Sequence, residues 1–239
     1  MPWSVKSMSV KSVYLASPSF ENNQLHITGA EHRHLTVTRA EPDELIEVFD
    51  GKGHVWTTAI QSIGKRETIA RVTASRTAPP PSVDVFLGMA IIRTAAFEQA
   101  VEKAVEVGVT RIVPFAAARS NVTPGNRQDR WERIVIEAAK QSKHYYLPKL
   151  DLPASFVEVL SIPASSKVIF AERNGGPLKA ALVGSPILYL IGPEGGWTDE
   201  ELTQAGNNGF ISVSLGDGIL KAETAATIGA SLIRYELTG

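Results

Sequence analysis

The sequence predicts a two-part chain: a small β-barrel-like domain over residues 1–77, then an α/β domain with a mostly parallel sheet over residues 82–239. Three observations predict it. Residues 13–76 are dense in short strand signals. Pro79-Pro80-Pro81 then interrupts the chain as a stiff punctuation mark. Beyond it, continuous apolar runs alternate with stretches at helical spacing, the pattern of parallel strands covered by helices.

The elements follow in order. MPWSVKSMSVKS has no apolar h-region and reads as a loose extension, with Met8 as a candidate start. IEVFDGKGHVWTTAIQSI (46–63) is two β runs around Asp50-Gly51-Lys52-Gly53, a hairpin, and ETIARVTASRT (67–77) is a further strand. VDVFLGMAI (83–91) reads as a strand buried on both faces. FEQAVEKAVEVGV (97–109) places Phe97, Val101, Ala104 and Val105 on one helix face, with Gly108 at its C-terminal cap. RIVPFAA (111–117) is a strand, RQDRWERIVIEAAKQS (127–142) an amphipathic helix, KVIFAE (167–172) and ILYLIG (187–192) strands. TDEELTQAGNNG (198–209) is a helix opened by a capping box, Thr198 with Glu201. ISVSLG (211–216) and ETAATIGASLIRYEL (223–237) are the last strand and helix.

Composition narrows the function. No apolar run approaches the ~20 residues that span a bilayer, so no membrane role and a cytoplasmic location are expected. The absence of cysteine excludes disulfides, thiolate-held zinc and a cysteine nucleophile. His32 and His34 flank Arg33 near a strand start, but no further ligand stands at metal-binding spacing, so no metal is expected. Between Arg111 and Lys149 basic residues outnumber acidic ones by five, and from Leu190 onward acidic residues lead by five. The basic segment is either a footprint for RNA or a solvated helix face. Trp131 within it either stacks a base or packs in the core. Trp197 either caps a pocket or staples the following helix.

Two loops stand out, IGPEGGW (191–197) and LGDGILKAET (215–224), each between a core strand and a helix. Ligands of open α/β sheets sit outside the carboxyl ends of strands, and glycine lets a ligand approach the backbone. Neither loop has Walker A or G-x-G-x-x-G spacing. They are either two tight turns or the walls of a cofactor pocket.

IGPEGGWTDEE followed by SLGDGILKAETAA resembles the signature pair of the SPOUT RNA methyltransferases, and within them the RsmE-type family, which methylates N3 of a uridine in small-subunit (16S) ribosomal RNA. HRHLTVTRAEPDELIEVFDGKG (32–53) and VEKAVEVGVTRIVPFAAARS (101–120) are similar to further stretches of that family, as are RWERIVIEAAKQS and Pro148. The resemblance implies a C-terminal domain threaded into a deep trefoil knot, a rare topology, behind a PUA-like RNA-binding domain. It implies a homodimer acting on ribosomal RNA or the 30S subunit, with S-adenosylmethionine as cofactor. The cofactor site would comprise Leu190, Ile191, Gly192, Pro193, Glu194, Gly195, Gly196, Leu215, Gly216, Ile219, Leu220 and Thr224.

Catalysis at N3 requires removal of its proton, for which Glu194 and Glu223 are the candidates, with Lys221 a further candidate catalytic residue. Either glutamate could instead serve locally, as a turn carboxylate or a helix-start charge. Arg39, Arg93, Arg119, Lys143 and His144 are the candidate RNA contacts. The chain departs from the family at Gly218, Lys221 and His144, where the family carries arginine, and lysine cannot make the two-pronged phosphate contact of arginine. Three readings follow: the same target, a different RNA target, or a non-catalytic RNA-binding or ribosome-assembly protein.

Overall fold

The computed structural model describes residues 10–120, 125, 127–171 and 175–238. Met8, most of the expected N-terminal extension, and Glu172 at the expected end of one strand lie outside the described residues. The chain divides into two compact units, Met1–Pro80 with Lys143–Tyr146, and Pro81–Ser142 with Leu147–Gly239.

The first unit comprises β1 (Lys11–Tyr14), β2 (Phe20–Glu21), β3 (Gln24–Thr28), α1 (Gly29–Val37), β4 (Leu45–Phe49), β5 (His54–Ile63) and β6 (Glu67–Thr77). The strands form one sheet in the order β1-β4-β5-β6-β3-β2. β1 runs parallel to β4, and the other pairs are antiparallel. Register shifts between β5 and β6 mark bulges, which bend and twist a sheet. Leu25, Ile27, Leu35, Ile46, Val48 and Ile60 fill its core. In the predicted hairpin, Asp50 Oδ1 accepts from the Lys52 and His54 amides at 2.8 and 3.1 Å, which fixes the turn.

Helix α1 corrects the expectation of strands alone in this region. His32 and Leu35 are buried at helical spacing, and His32 Nδ1 meets Thr68 Oγ1 at 2.9 Å. His32 is therefore a core histidine on a helix rather than part of a strand start.

Residues 143–146 belong to this unit although they follow a helix of the second. Tyr145 sets its ring edge-on to Phe49 at 5.7 Å, and the Gly53 amide donates to the Tyr145 carbonyl at 3.0 Å. Lys143 Nζ donates to Glu47 Oε2 at 3.0 Å and the Tyr145 hydroxyl donates to the same oxygen at 2.9 Å. Arg76 donates to Glu47 Oε1 at 3.2 Å and lies 4.6 Å over the Tyr145 ring.

The second unit contains β7 (Val85–Ala90), α2 (Thr94–Val107), β8 (Arg111–Ala116), α3 (Gln128–Ser142), β9 (Lys149–Leu150), β10 (Ala154–Ser155), α4 (Phe156–Leu160), β11 (Ser166–Phe170), α5 (Leu178–Ala181), β12 (Ile187–Ile191), α6 (Asp199–Asn207), β13 (Ile211–Val213) and α7 (Ala222–Thr238). The sheet order is β10-β8-β7-β12-β11-β13, with β9 also on β8, and every pairing among the described residues is parallel. β12 is buried throughout. Its Ile187, Tyr189 and Ile191 join Phe97, Val101, Trp131 and Ile233 on one face. Its Leu188 and Leu190 join Phe115, Val159 and Ala205 on the other. Two-sided burial explains the unbroken apolar run that marks this strand in the sequence. Trp131 lies in the core, 4.5 Å from the Phe97 ring.

Candidate functional site

The carboxyl ends of β8, β7, β12, β11 and β13 lie along one edge of the sheet, in register order. The loop after β12 is a tight turn closed by the Gly196 amide on the Pro193 carbonyl at 2.9 Å. Gly196 has φ +69°, which glycine adopts without strain. Gly192 is required for a different reason: a Cβ there would meet the Trp197 indole at 2.8 Å. That indole is fixed. It stacks on Phe115 at 6.1 Å and 5°, and Nε1 donates to the Phe170 carbonyl at 2.8 Å. Trp197 thus staples the loop to the end of β11.

The following helix starts with the predicted capping box. The Thr198 amide donates to Glu201 Oε2 at 2.9 Å, and the Glu201 amide to Thr198 Oγ1 at 3.1 Å. Glu201 is buried, and its other oxygen accepts from the Ala118 amide at 2.8 Å. Arg119 Nη1 donates to the carbonyls of Gly195 and Trp197 at 2.9 and 3.2 Å. The loop after β8 is thereby tied to the loop after β12 at both ends. From β7 comes Arg93, whose Nε donates to Glu194 Oε1 at 3.2 Å, with both side chains substantially exposed.

The second glycine loop is brought to the same edge through β11. The Ala171 amide donates to the Val213 carbonyl at 3.0 Å, so β11 lies between Trp197 and β13. Helix α7 packs back against α2, β7 and β12, so residues 214–221 cross the end of β11 to reach it. Tyr189 fixes the return, donating from its buried hydroxyl to the Ala226 carbonyl at 3.0 Å. Gly216 has φ +122°, and Ser214 Oγ donates to the Gly216 carbonyl at 2.9 Å. Ile219, beside them, is 80% exposed, and an aliphatic side chain held open in a glycine-bearing loop suits an apolar ligand face.

The predicted residues therefore fall into groups. Glu194, Gly195, Gly216, Ile219, Lys221 and Thr224 are exposed, and Gly192, Gly196, Leu215, Leu220 and Glu223 are part-buried on the two loops or the start of α7. Leu190, Ile191 and Pro193 are buried, so the side chains of Leu190 and Ile191 are core and only their backbone can face a ligand. Among the RNA candidates, Arg93 and Arg119 stand at this edge. Arg39, Lys143 and His144 lie in the first unit. Arg39 is exposed with φ +51° at the end of α1. Lys143 is already engaged by Glu47, the Ser12 hydroxyl at 2.7 Å and the Val10 carbonyl at 2.8 Å. Burial pushes the Glu47 carboxyl up, but hydrogen bonds from Lys143, Tyr145 and Arg76 outweigh it and hold the group below its ordinary value.

Sequence reasoning missed the reach of Glu201 to Ala118 and of Arg119 to the glycine loop. The capping box revealed only the local half of what Glu201 does. Nothing in the spacing signalled the contacts of Arg119.

Residues 79–234 match the family model of the RNA methyltransferase domain, and residues 27–73 that of the RNA methyltransferase PUA domain. The chain is 33% identical to the ribosomal RNA small subunit methyltransferase E of Synechocystis over 208 residues, covering 82% of this chain and 68% of that one. It is 31% identical to the protein of that name from Mesomycoplasma hyopneumoniae, over 86% of this chain and 92% of the other. The crystal structure of ribosomal RNA small subunit methyltransferase E from Neisseria gonorrhoeae, bound to S-adenosyl methionine, superposes with a TM-score of 0.88 at 30% identity, covering 95% of this chain and 97% of that one.

Proposed function

This chain belongs to the ribosomal RNA small subunit methyltransferase E family, and on that premise we propose that it transfers a methyl group from S-adenosylmethionine to N3 of a uridine in small-subunit ribosomal RNA. The observation that carries the reading is the pairing of two glycine-bearing loops across the end of β11, with Ile219 exposed on the second of them. It is supported by the fold shared with a cofactor-bound relative. The cofactor, when bound, supplies an electrophilic methyl on a sulfonium. The residues from Leu190 to Gly196, with Leu215, Gly216, Ile219, Leu220 and Thr224, would hold it, through backbone on the β12 side and through Ile219 and Leu220 on the other. Crossing of residues 214–221 over β11 fits the trefoil knot of the SPOUT fold.

The chain's own work is positioning and proton removal. Glu194 and Glu223 are the proposed proton acceptors, and Lys221 a further proposed catalytic residue. Arg39 and Arg93 are the RNA contacts best supported by exposure, Arg119 and Lys143 being engaged within the protein. His144 is kept as a further candidate. A homodimer is supported by an apolar stripe on α7, where Leu232 and Tyr235 are 41% and 72% exposed one turn apart. No helix among the described residues is long and apolar enough to cross a membrane. Action in the cytoplasm, where its RNA resides, is part of the proposal.

The test is calorimetric titration with S-adenosylmethionine, followed by mass-spectrometric mapping of methyl groups in small-subunit RNA exposed to the protein. Binding with methyl transfer to a uridine nitrogen is the expected result. Binding with no RNA modified would instead favour the non-catalytic reading that Gly218, Lys221 and His144 motivate.

A further inference from the structure

We propose that Glu194 latches Arg93, and that an RNA phosphate opens the latch, taking the guanidinium and releasing the carboxylate toward the target base. The inference rests on the reading above and deepens it. Arg93 and Glu194 project from the carboxyl ends of β7 and β12, which are adjacent parallel strands, so the pair spans the edge where a substrate would lie. Their contact is a single Nε-to-Oε1 bond of 3.2 Å, with the arginine side chain 82% and the glutamate 42% exposed. A pair so placed is worth little and yields readily to a competitor. A phosphate is such a competitor, since it offers arginine two parallel hydrogen bonds where Glu194 takes one.

Arg119 makes the contrast. It comes from the neighbouring strand β8, but its bonds go to carbonyls of the glycine loop, which no anion would displace in kind. Arg119 therefore holds the loop, while Arg93 is the exchangeable group. Release of Arg93 leaves Glu194 a carboxylate without a cation, on a loop already fixed by Trp197 and Arg119. In that state it can accept the N3 proton: the N–H bond breaks, the proton passes to a carboxylate oxygen, and the electron pair stays on nitrogen. Docking of RNA and readiness of the base become one event.

The sign of one effect tests this without any turnover. Naked small-subunit ribosomal RNA is titrated against the full-length protein, Glu194→Gln, Arg93→Ala and the double variant, with circular dichroism and thermal melting as folding controls. Glu194→Gln frees Arg93, so RNA binding should tighten about two- to fivefold. Arg93→Ala should weaken binding and flatten its salt dependence by about one phosphate contact. In the Arg93→Ala background, Glu194→Gln should change nothing. Tightening that persists in that background would mean general charge removal and overturn the latch, as would Glu194→Gln leaving RNA affinity unchanged. If Arg93→Ala does not fold, Arg93→Gln serves in its place. Methyl transfer by Glu194→Gln should fall tenfold or more in kcat, with Glu194→Asp restoring part of it; an unchanged kcat removes the proton-acceptor role. A protein that shows the binding cycle but methylates no RNA would fail the proposed function and keep the latch.

Discussion

Gly192 shows how far a single hydrogen can matter at this site. Alanine there would drive Cβ into an indole held by a ring stack and a hydrogen bond, so the ring cannot step aside cheaply. Gly192→Ala should lower S-adenosylmethionine affinity about tenfold by calorimetry and destabilise the fold by about 1–3 kcal/mol in denaturant titration. Arg39 poses the opposite case. It occupies a left-handed conformation that favours glycine, at the end of α1 where a glycine would ordinarily sit. Strain kept at an exposed position points to use of the side chain. Arg39→Gly should leave the melting temperature unchanged or slightly raised while weakening RNA binding, measured by filter retention. Glu47 responds to acid. Its folded carboxyl sits below the ordinary value of 4.5. The stability it contributes is therefore full above about that pH and is lost as pH falls through the folded value. Glu47→Gln should flatten the acid limb of stability against pH, followed by fluorescence.

At the scale of elements, Glu201 joins a helix start to a loop two strands away. Glu201→Gln keeps the helix but places an amide donor against one of two backbone donors, at a cost of about 1–3 kcal/mol in chemical unfolding. The same residue explains what the sequence could reveal. Thr198-x-x-Glu201 announces a helix start, because a capping box is written in four consecutive residues. The bond to Ala118 spans 83 residues and leaves no pattern behind. Strands β7, β8 and β12 were legible because burial on both faces demands an unbroken apolar run. Helix α1 was not: only His32 and Leu35 are buried in its nine residues, so its amphipathic signal is faint. The glycine loops were legible as turns at the carboxyl ends of strands, since glycine and proline there carry backbone meaning. Which arginine holds the loop and which remains exchangeable was not, because it depends on the strand order β8-β7-β12.

Across the whole molecule, the stripe on α7 bears on assembly. Leu232→Asp with Tyr235→Glu should shift the protein toward monomer in light scattering if the stripe is the dimer face, and leave the mass unchanged if it is not. The four residues 143–146 have a different reach. The first unit owes to them the ring against Phe49, the cation and hydroxyl on Glu47, and the surface beneath Arg76. Residues 1–80 alone should thus melt below the same unit in the full chain. In modular terms, the joint between the two units is not a single seam. Exchanging residues 1–80 for those of a relative would leave the chimera with Lys143, Tyr145 and Tyr146 from the other parent, matched to a Glu47 that need not be there. A graft must carry both pieces of sequence, so recombination at the proline run alone delivers an incomplete part.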